Sequence, residues 1–419
     1  MTAWPRFKMY GVPGNFRQAF RDFSTGRVHA GDDVAAFEQD ICRLTGSRHA
    51  VATPQARVGI HLILKALIQR SGRRKIILSP YTIYDVVNMV VSAGGIPVFT
   101  DVDVDNGNID AAAVAAAIDN DTAAVLVTHL HGIMCDMAAL MRVCEPLSVL
   151  IVEDAAQAFG ARWGNKAAGA IGAAGVFSFG RAKNVNCFYG GAVVTDDGEL
   201  ARALRSEIAA YRDMESGRLA KRVLLCLAYS VSVSRFVFPF ATQWVYRWLA
   251  YSNPNKGAEL LSTERNPVLR ASLPDGSKRK LTPMQARCAI RQLALLDTQR
   301  QRRQRLVAIY RNGLADMATV RLPIEVPNSD NVYLPFPIQV PDRIALQRYM
   351  IRRGHDVVIQ HIGNAADYDC FAEFHRPCPT ARKVAASVLL LPTYPDYPES
   401  EARQNVDVIR DFFTSASHT

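Results

Sequence analysis

Residues 152–195 read VEDAAQAFGARWGNKAAGAIGAAGVFSFGRAKNVNCFYGGAVVT, and the fold turns on how this stretch is parsed. The run Val149-Leu150-Ile151-Val152 is apolar without alternation, the pattern of a strand buried on both faces. It ends in two carboxylates, Glu153 and Asp154. A second apolar run, Gly175 to Phe179, leads to a lone lysine, Lys183. Gly190 and Gly191 then open a third strand, Ala192 to Thr195. In an open α/β sheet, ligands bind at the carboxyl ends of the strands. Asp154 and Lys183 are therefore expected at a site.

The pair suits one chemistry. A partly desolvated lysine has a lowered pKa and can condense with a carbonyl. Pyridoxal phosphate needs such a lysine, together with an acid beside its ring nitrogen. Taken singly, a lysine after a strand is commonly solvated and an aspartate there commonly caps a helix. In this order and spacing the two point to one site.

The segments EDAAQAFGA, FSFGRAKN and GGAVVTDD, so spaced, resemble the DegT/DnrJ/EryC1/StrS sugar aminotransferases. GRVHAGDDVAAFEQDICRLTGSRHAVA (26–52), GGIPVFTDVDVDNGNID (94–110), THLHGIMCDM (128–137) and MQARCAIRQL (284–293) agree. The resemblance covers nearly the whole chain outside about 214–275. It implies the α/β fold type I of pyridoxal-phosphate transferases. A large mixed-sheet domain (1–290, with an apolar insertion at about 214–275) would precede a small C-terminal α/β domain (291–419).

The resemblance also implies roles. Lys183 would hold pyridoxal 5'-phosphate, Asp154 would face its ring nitrogen, Gln157 its ring hydroxyl side, and Ser178 its phosphate. His129 would be structural. Where the family carries Ser-Gly-Thr at a phosphate-binding helix start, this chain has Gln55, Ala56 and Arg57. Backbone donors survive at Ala56. Arg57 either bonds the phosphate or is a solvated first-turn residue. Tyr84 either stacks on the cofactor or belongs to the core, and it suits stacking better than Ile83. Lys278 replaces a family asparagine that reaches the partner subunit's phosphate; it can do the same, hold another anion, or be solvated. Asn186, Cys187, Phe188 and Tyr189 replace a polar family run, which bears on substrate choice.

At 419 residues and 49% apolar content the chain can build a substantial core, and its formal charge of +10 favours anionic partners. No nucleic-acid motif is visible. Eight cysteines without paired spacing suit a reducing compartment and offer no metal pattern. The opening MTAWPRFKMYG has no secretory-signal pattern. A cytoplasmic location is expected, and the family resemblance implies a homodimer.

The remaining elements follow from periodicity. Residues 1–30 read as an arm, followed by a helix capped by Asp32 or Asp33. Further helices are expected at Val58–Leu67, from Asp110, from Ala138, and over Met284–Leu314 as one long helix linking the domains. Strands are expected at 49–52, 75–78, 98–100 and 123–128. Val332–Val340, Val357–Gln360 and Ala385–Leu391 follow in the small domain, and 252–283 reads as loop.

One segment stands apart. Arg222 to Tyr251 is apolar and aromatic, punctuated by arginines, and interrupted by Arg235 and Pro239. A spanning helix needs about 20 apolar residues, so the segment suits peripheral contact at the inner face of a membrane, a buried insertion, or a dimer contact.

The function the resemblance implies is transfer of an amino group, from glutamate, to a keto-sugar carried on a nucleotide. A ketone delivered on a lipid or at a membrane is the alternative enzyme reading. A non-catalytic scaffold subunit is the other, and the altered residues at 55–57 and 278 motivate it.

Overall fold

The computed structural model describes residues 3–9, 14–252 and 266–416. Seven strands form the central sheet: β1 (His49–Thr53), β2 (Lys75–Leu78), β3 (Ile96–Phe99), β4 (Thr122–Thr128), β5 (Leu150–Asp154), β8 (Ala174–Ser178) and β9 (Gly191–Thr195). Their order is β1-β9-β8-β5-β4-β2-β3. β8, β5, β4, β2 and β3 run parallel, while β9 is antiparallel to both its neighbours.

The strands are apolar throughout because both faces are covered. Side chains alternate between two cores. Val51, Leu126, Val152, Val176 and Val193 enter one; Ala52, Val125, Ile151, Phe177 and Val194 enter the other. The first core is covered by helices Ala56–Ser71, Tyr84–Ser92 and Gly198–Ala209, and the second by Asp33–Thr45 and Pro283–Leu293.

A second sheet, β11 (Phe336–Gln339), β13 (Val388–Leu391) and β12 (Val358–Ile359), is antiparallel. Helix Glu399–Ala416 packs against helices Leu296–Leu314 and Arg343–Arg352 beside it. Two short strands, β6 (Arg162–Trp163) and β7 (Lys166–Ala167), form a ribbon with β10 (Ser329–Asp330).

Several local expectations are corrected. Helix Asn15–Ser24 lies within the stretch read as an arm. Residues 3–9 dock on the C-terminal part. Arg6 Nε donates to Asp356 Oδ1 at 2.8 Å in a buried pair, and Trp4 meets Tyr397 edge-on. Asp32 occupies the cap position of helix Asp33–Thr45 without a capping bond, and Asp33 is ion-paired to Arg287. Asp110 does cap, accepting from the Ala112 and Ala113 amides.

The expected long helix breaks at Ala294–Leu295. Its first part packs on the central domain and its second on the C-terminal helix, so two apolar stripes face two different cores. The expected strand from Ala385 begins at Val388, after helix Pro379–Ser387. In the stretch expected as loop, residues 253–265 lie outside the described residues.

In the atypical segment, helix Ser216–Ser232 leads through a π-helical turn, Phe238–Thr242, into helix Gln243–Ser252. Among the described residues, no helix is long and apolar enough to cross a membrane. All eight cysteines are free thiols, six of them buried.

Candidate active site

Three adjacent parallel strands end on one cavity of about 270 Å³, and their last residues, Thr128 (β4), Asp154 (β5) and Ser178 (β8), all line it. Thr128 and Asp154 are paired across the sheet. Gln55, Ala56, Arg57, Gln157 and Lys183 complete the sheet side, and Gln360 and His361 face it from the C-terminal part.

Pleating separates the two carboxylates at the end of β5. Glu153 turns into the protein, fully buried, and accepts four hydrogen bonds. Gly169, Ile171 and Gly172 donate backbone N–H at 2.8, 2.7 and 2.6 Å, and His129 Nε2 donates at 2.9 Å. The Cys135 amide donates to His129 Nδ1 at 3.1 Å, which leaves the imidazole proton on Nε2. His129 and Glu153 are therefore an internal strut, with every polar atom satisfied.

Asp154 turns to the cavity. It is buried, and its Oδ1 accepts the Ala156 amide at 3.0 Å. Burial raises its pKa, while the Ala156 bond and the Lys183 charge oppose the rise. Lys183 sits in the turn after β8, where its backbone N–H donates to Gly180 O at 3.2 Å. Burial lowers its amine to about 8; Asp154 pulls the other way, and Arg57 adds to the lowering. An amine so tuned is a nucleophile near neutral pH.

The group this site implies is pyridoxal phosphate, and the donor set fits it. Helix Ala56–Ser71 starts at the cavity, and Gln55 at its cap position makes no side-chain bond to the first amides. A helix start of this kind binds anions. The Ser178 hydroxyl lines the same end. Gly191 lies opposite both Thr53 and Ser178 across the strands, and a Cβ there would fall 2.5 Å from Ala56 N. The cradle thus depends on a missing side chain. Arg57 lines the cavity and is ion-paired to the buried Asp85, which also takes Arg270 Nη1 at 2.5 Å. It is not a solvated first-turn residue.

Gln157 Oε1 accepts the His131 amide at 3.0 Å, which leaves the Gln157 NH₂ to donate. Two expected residues are elsewhere. Tyr84 is buried in the core, and the cavity wall there is Thr82, Ile83 and Val86. The wall takes Ile83 because Tyr84 opens the following helix with its ring among core side chains. Lys278 lines a separate surface hollow with Ala210, Tyr211, Arg212, Asp275 and Arg279, and it pairs with Asp275 at 2.9 Å.

Other cavity residues escaped the sequence reading. Phe7 comes from the N-terminal arm, and Gln360 and His361 from the edge of β12, while Tyr189, of the run read as bearing on substrate choice, also lines the cavity. His131 is buried and held neutral, its pKa lowered to about 3 by burial, and its ring meets Gln360 Nε2 at 3.3 Å. Phe188 and Tyr189 both take left-handed backbone angles, φ 60° and 75°. Gln285 Nε2 holds this loop by donating to the carbonyls of Cys187 and Tyr189 at 3.2 and 2.5 Å. Two consecutive non-glycine residues in that region cost about 1–3 kcal/mol each, so the loop is held by Gln285 and not by its own preference. No local motif signals these positions, because their partners are distant in sequence.

Comparison with known proteins follows this geometry. The dTDP-3-amino-3,4,6-trideoxy-alpha-D-glucose transaminase of Streptomyces venezuelae is 29% identical over 397 residues, covering 94% of this chain and 90% of its own. The "pleiotropic regulatory protein" of Geobacillus stearothermophilus is 26% identical over 395 residues, covering 93% and 91%. Among solved structures, Streptomyces venezuelae DesV matches with TM-score 0.72 and 26% identity over 95% of this chain and 94% of that one. An aminotransferase from Psychrobacter cryohalolentis matches with TM-score 0.76 and 21% identity over 99% of each chain, a likeness of fold. These likenesses bear out fold type I. The sequence profile of the DegT/DnrJ/EryC1/StrS aminotransferases matches residues 15–223 and 255–410. Matched over most of its length, the chain belongs to the DegT/DnrJ/EryC1/StrS aminotransferase family.

Proposed function

We propose that this aminotransferase uses pyridoxal 5'-phosphate to move an amino group from glutamate to the keto group of a nucleotide-linked sugar. The observation that supports it most is the convergence of Lys183, Asp154, Ser178 and the uncapped start of helix Ala56–Ser71 on one cavity. The transaminase named above, whose product is a dTDP-amino sugar, supports the substrate class.

Pyridoxal phosphate, when bound, supplies an electron sink for the carbanion formed at the donor carbon. The chain supplies the rest. Ser178 and the amides from Ala56 onward would hold the phosphate, with Arg57 adding charge beside them. Asp154 would keep a proton at the ring nitrogen through its carboxylate. Gln157 would orient the ring through its free NH₂. Lys183 Nζ, poised by burial near neutral pH, would hold the group and carry the proton to and from the reacting carbon, a role worth about 10²–10⁴-fold. Ile83 and Val86 exclude water from one wall. Glutamate leaves as its keto acid, and the acceptor's carbonyl oxygen leaves as water.

Under this reading the enzyme works as a cytoplasmic homodimer, with Lys278 reaching the partner's phosphate. Its distance from its own cavity supports that role. A second reading, a ketone delivered at a membrane surface, is favoured by one contact. The Arg222 guanidinium lies 5.0 Å over the Tyr189 ring, which joins the atypical segment to the cavity wall.

The test is the absorption spectrum of protein loaded with pyridoxal phosphate, before and after borohydride, followed by peptide mapping. A cofactor band that borohydride fixes to Lys183 is expected. Its absence after loading would overturn the proposal and favour a scaffold subunit. Glutamate should then release its keto acid, and turnover should continue only with the right keto-sugar.

A further inference from the structure

The family profile stops at residue 223 and resumes at 255. Most of the segment from Ser216 to Ser252 therefore lies outside the family profile. Those 37 residues hold Arg218, Lys221, Arg222, Arg235 and Arg247 and no aspartate or glutamate.

Surface helices normally turn their apolar stripe inward. Helix Ser216–Ser232 does so with Leu219, Val223 and Cys226. It also exposes a second stripe, Leu224, Leu225, Ala228 and Val231, spaced i, i+1, i+4, i+7. Helix Gln243–Ser252 repeats the arrangement. Leu249 and Ala250 are buried, while Trp244, Val245, Trp248 and Tyr251 are exposed at the same spacing. The turn between them adds Phe236 and Phe240, 71% and 77% exposed, and Trp244 and Trp248 are 58% and 66% exposed. Phe238 alone of the three phenylalanines is buried, against Tyr246.

Cations rim this face. Arg235 lies 4.7 Å over Phe236 and Arg247 5.5 Å over Trp244. The neighbouring helix Arg343–Arg352 brings Arg348 and Arg352 over Tyr251 at 5.8 and 5.7 Å. Exposed aromatics flanked by arginines are the composition of segments that lie in a bilayer interface.

We propose that this face docks on an anionic phospholipid surface. The rings of Phe236, Phe240, Trp244 and Trp248 enter the headgroup boundary, and the arginines bind lipid phosphates. Charge decides against a second copy of the chain as occupant. A symmetric contact would set Arg235, Arg247, Arg348 and Arg352 against the same four, with no carboxylate in Ser216–Ser252 or Arg343–Arg352 to answer them. Length decides against crossing, since the 17- and ten-residue helices are about 25 and 15 Å long and the hydrocarbon core about 30 Å. The proposal stands apart from the aminotransferase reading, because binding is measured without turnover.

The experiment is flotation of the full chain, loaded with pyridoxal phosphate, with vesicles of phosphatidylcholine alone or mixed with phosphatidylglycerol. Flotation with the mixed vesicles is expected, weakening with salt, together with a blue shift of tryptophan emission. Replacing Phe236, Phe240, Trp244 and Trp248 together with serine should abolish both signals and leave the thermal transition in place, since these side chains support no core. Arg235→Gln and Arg247→Gln provide a second route, each weakening binding about fivefold. No flotation with mixed vesicles, flotation unchanged in the serine variant, or loss of dimer in that variant by sedimentation would each overturn the proposal.

Discussion

Gly191 passes so close to Ala56 that a methyl group on it would sit 2.5 Å from the Ala56 nitrogen. Backbone of β9 thereby occupies the space beside the helix start where a phosphate is expected. Gly191→Ala must push the first turn of the helix aside. Affinity for pyridoxal phosphate is expected to fall about tenfold or more, the upper end for a lost helix-terminus contact, while affinity for pyridoxal is unchanged. Titration of the apoprotein with both compounds checks this; an equal loss for both would remove the phosphate cradle from this position.

Burial lowers the Lys183 amine to about 8. Below that pH the group is an ammonium and cannot attack; above it the free amine can. The rate at which apoprotein captures pyridoxal phosphate should therefore rise with pH, bend near 8 and level off above it. Stopped-flow absorbance reads this directly. A bend near the ordinary lysine value would mean a solvated side chain, and Lys183→Ala should show no capture.

Glu153 accepts from the buried Gly169 and Ile171 amides, the part-buried Gly172 amide and His129 Nε2. Each orphaned buried donor costs about 1–3 kcal/mol. Glu153→Ala should lower the denaturation midpoint sharply or prevent folding. Glu153→Gln, with the same shape and one oxygen kept, should fold with a smaller loss and retain the cofactor spectrum. Equal stability of Glu153→Ala and wild type would refute the strut.

The proposed homodimer has a testable signature in mixed variants. Lys183→Ala and Lys278→Ala should each be inactive or nearly so. Dissociated, mixed and reassociated, they should recover part of the activity, because one site of each hybrid then has both lysines intact. Failure to recover activity in hybrids verified by mass would place Lys278 outside the partner's site.

Much of the site was legible because it is local. Strand ends set by apolar runs place Asp154 and Lys183 at one edge, and the family resemblance adds Gln157 and Ser178 to the same stretch. The sequence leaves Tyr84 open between the cofactor and the core. An aromatic in a short loop can face either way, and the start of helix Tyr84–Ser92 turned its ring into the core. Arg57 was left open, since no pattern in 55–57 announces Asp85 as its partner twenty-eight residues on.

The sequence by itself determined the layering of the central sheet and the two groups on which the chemistry rests, because strand periodicity and strand-end position are properties of neighbours along the chain. Only the tertiary structure decided that Phe7, His131, Gln360 and His361 share the cavity, that His129 and Glu153 satisfy each other away from it, and that the stripes of Leu224 and Trp244 face outward. Those facts depend on which segments distant in sequence pack together, and burial, not local pattern, selects the face each side chain presents.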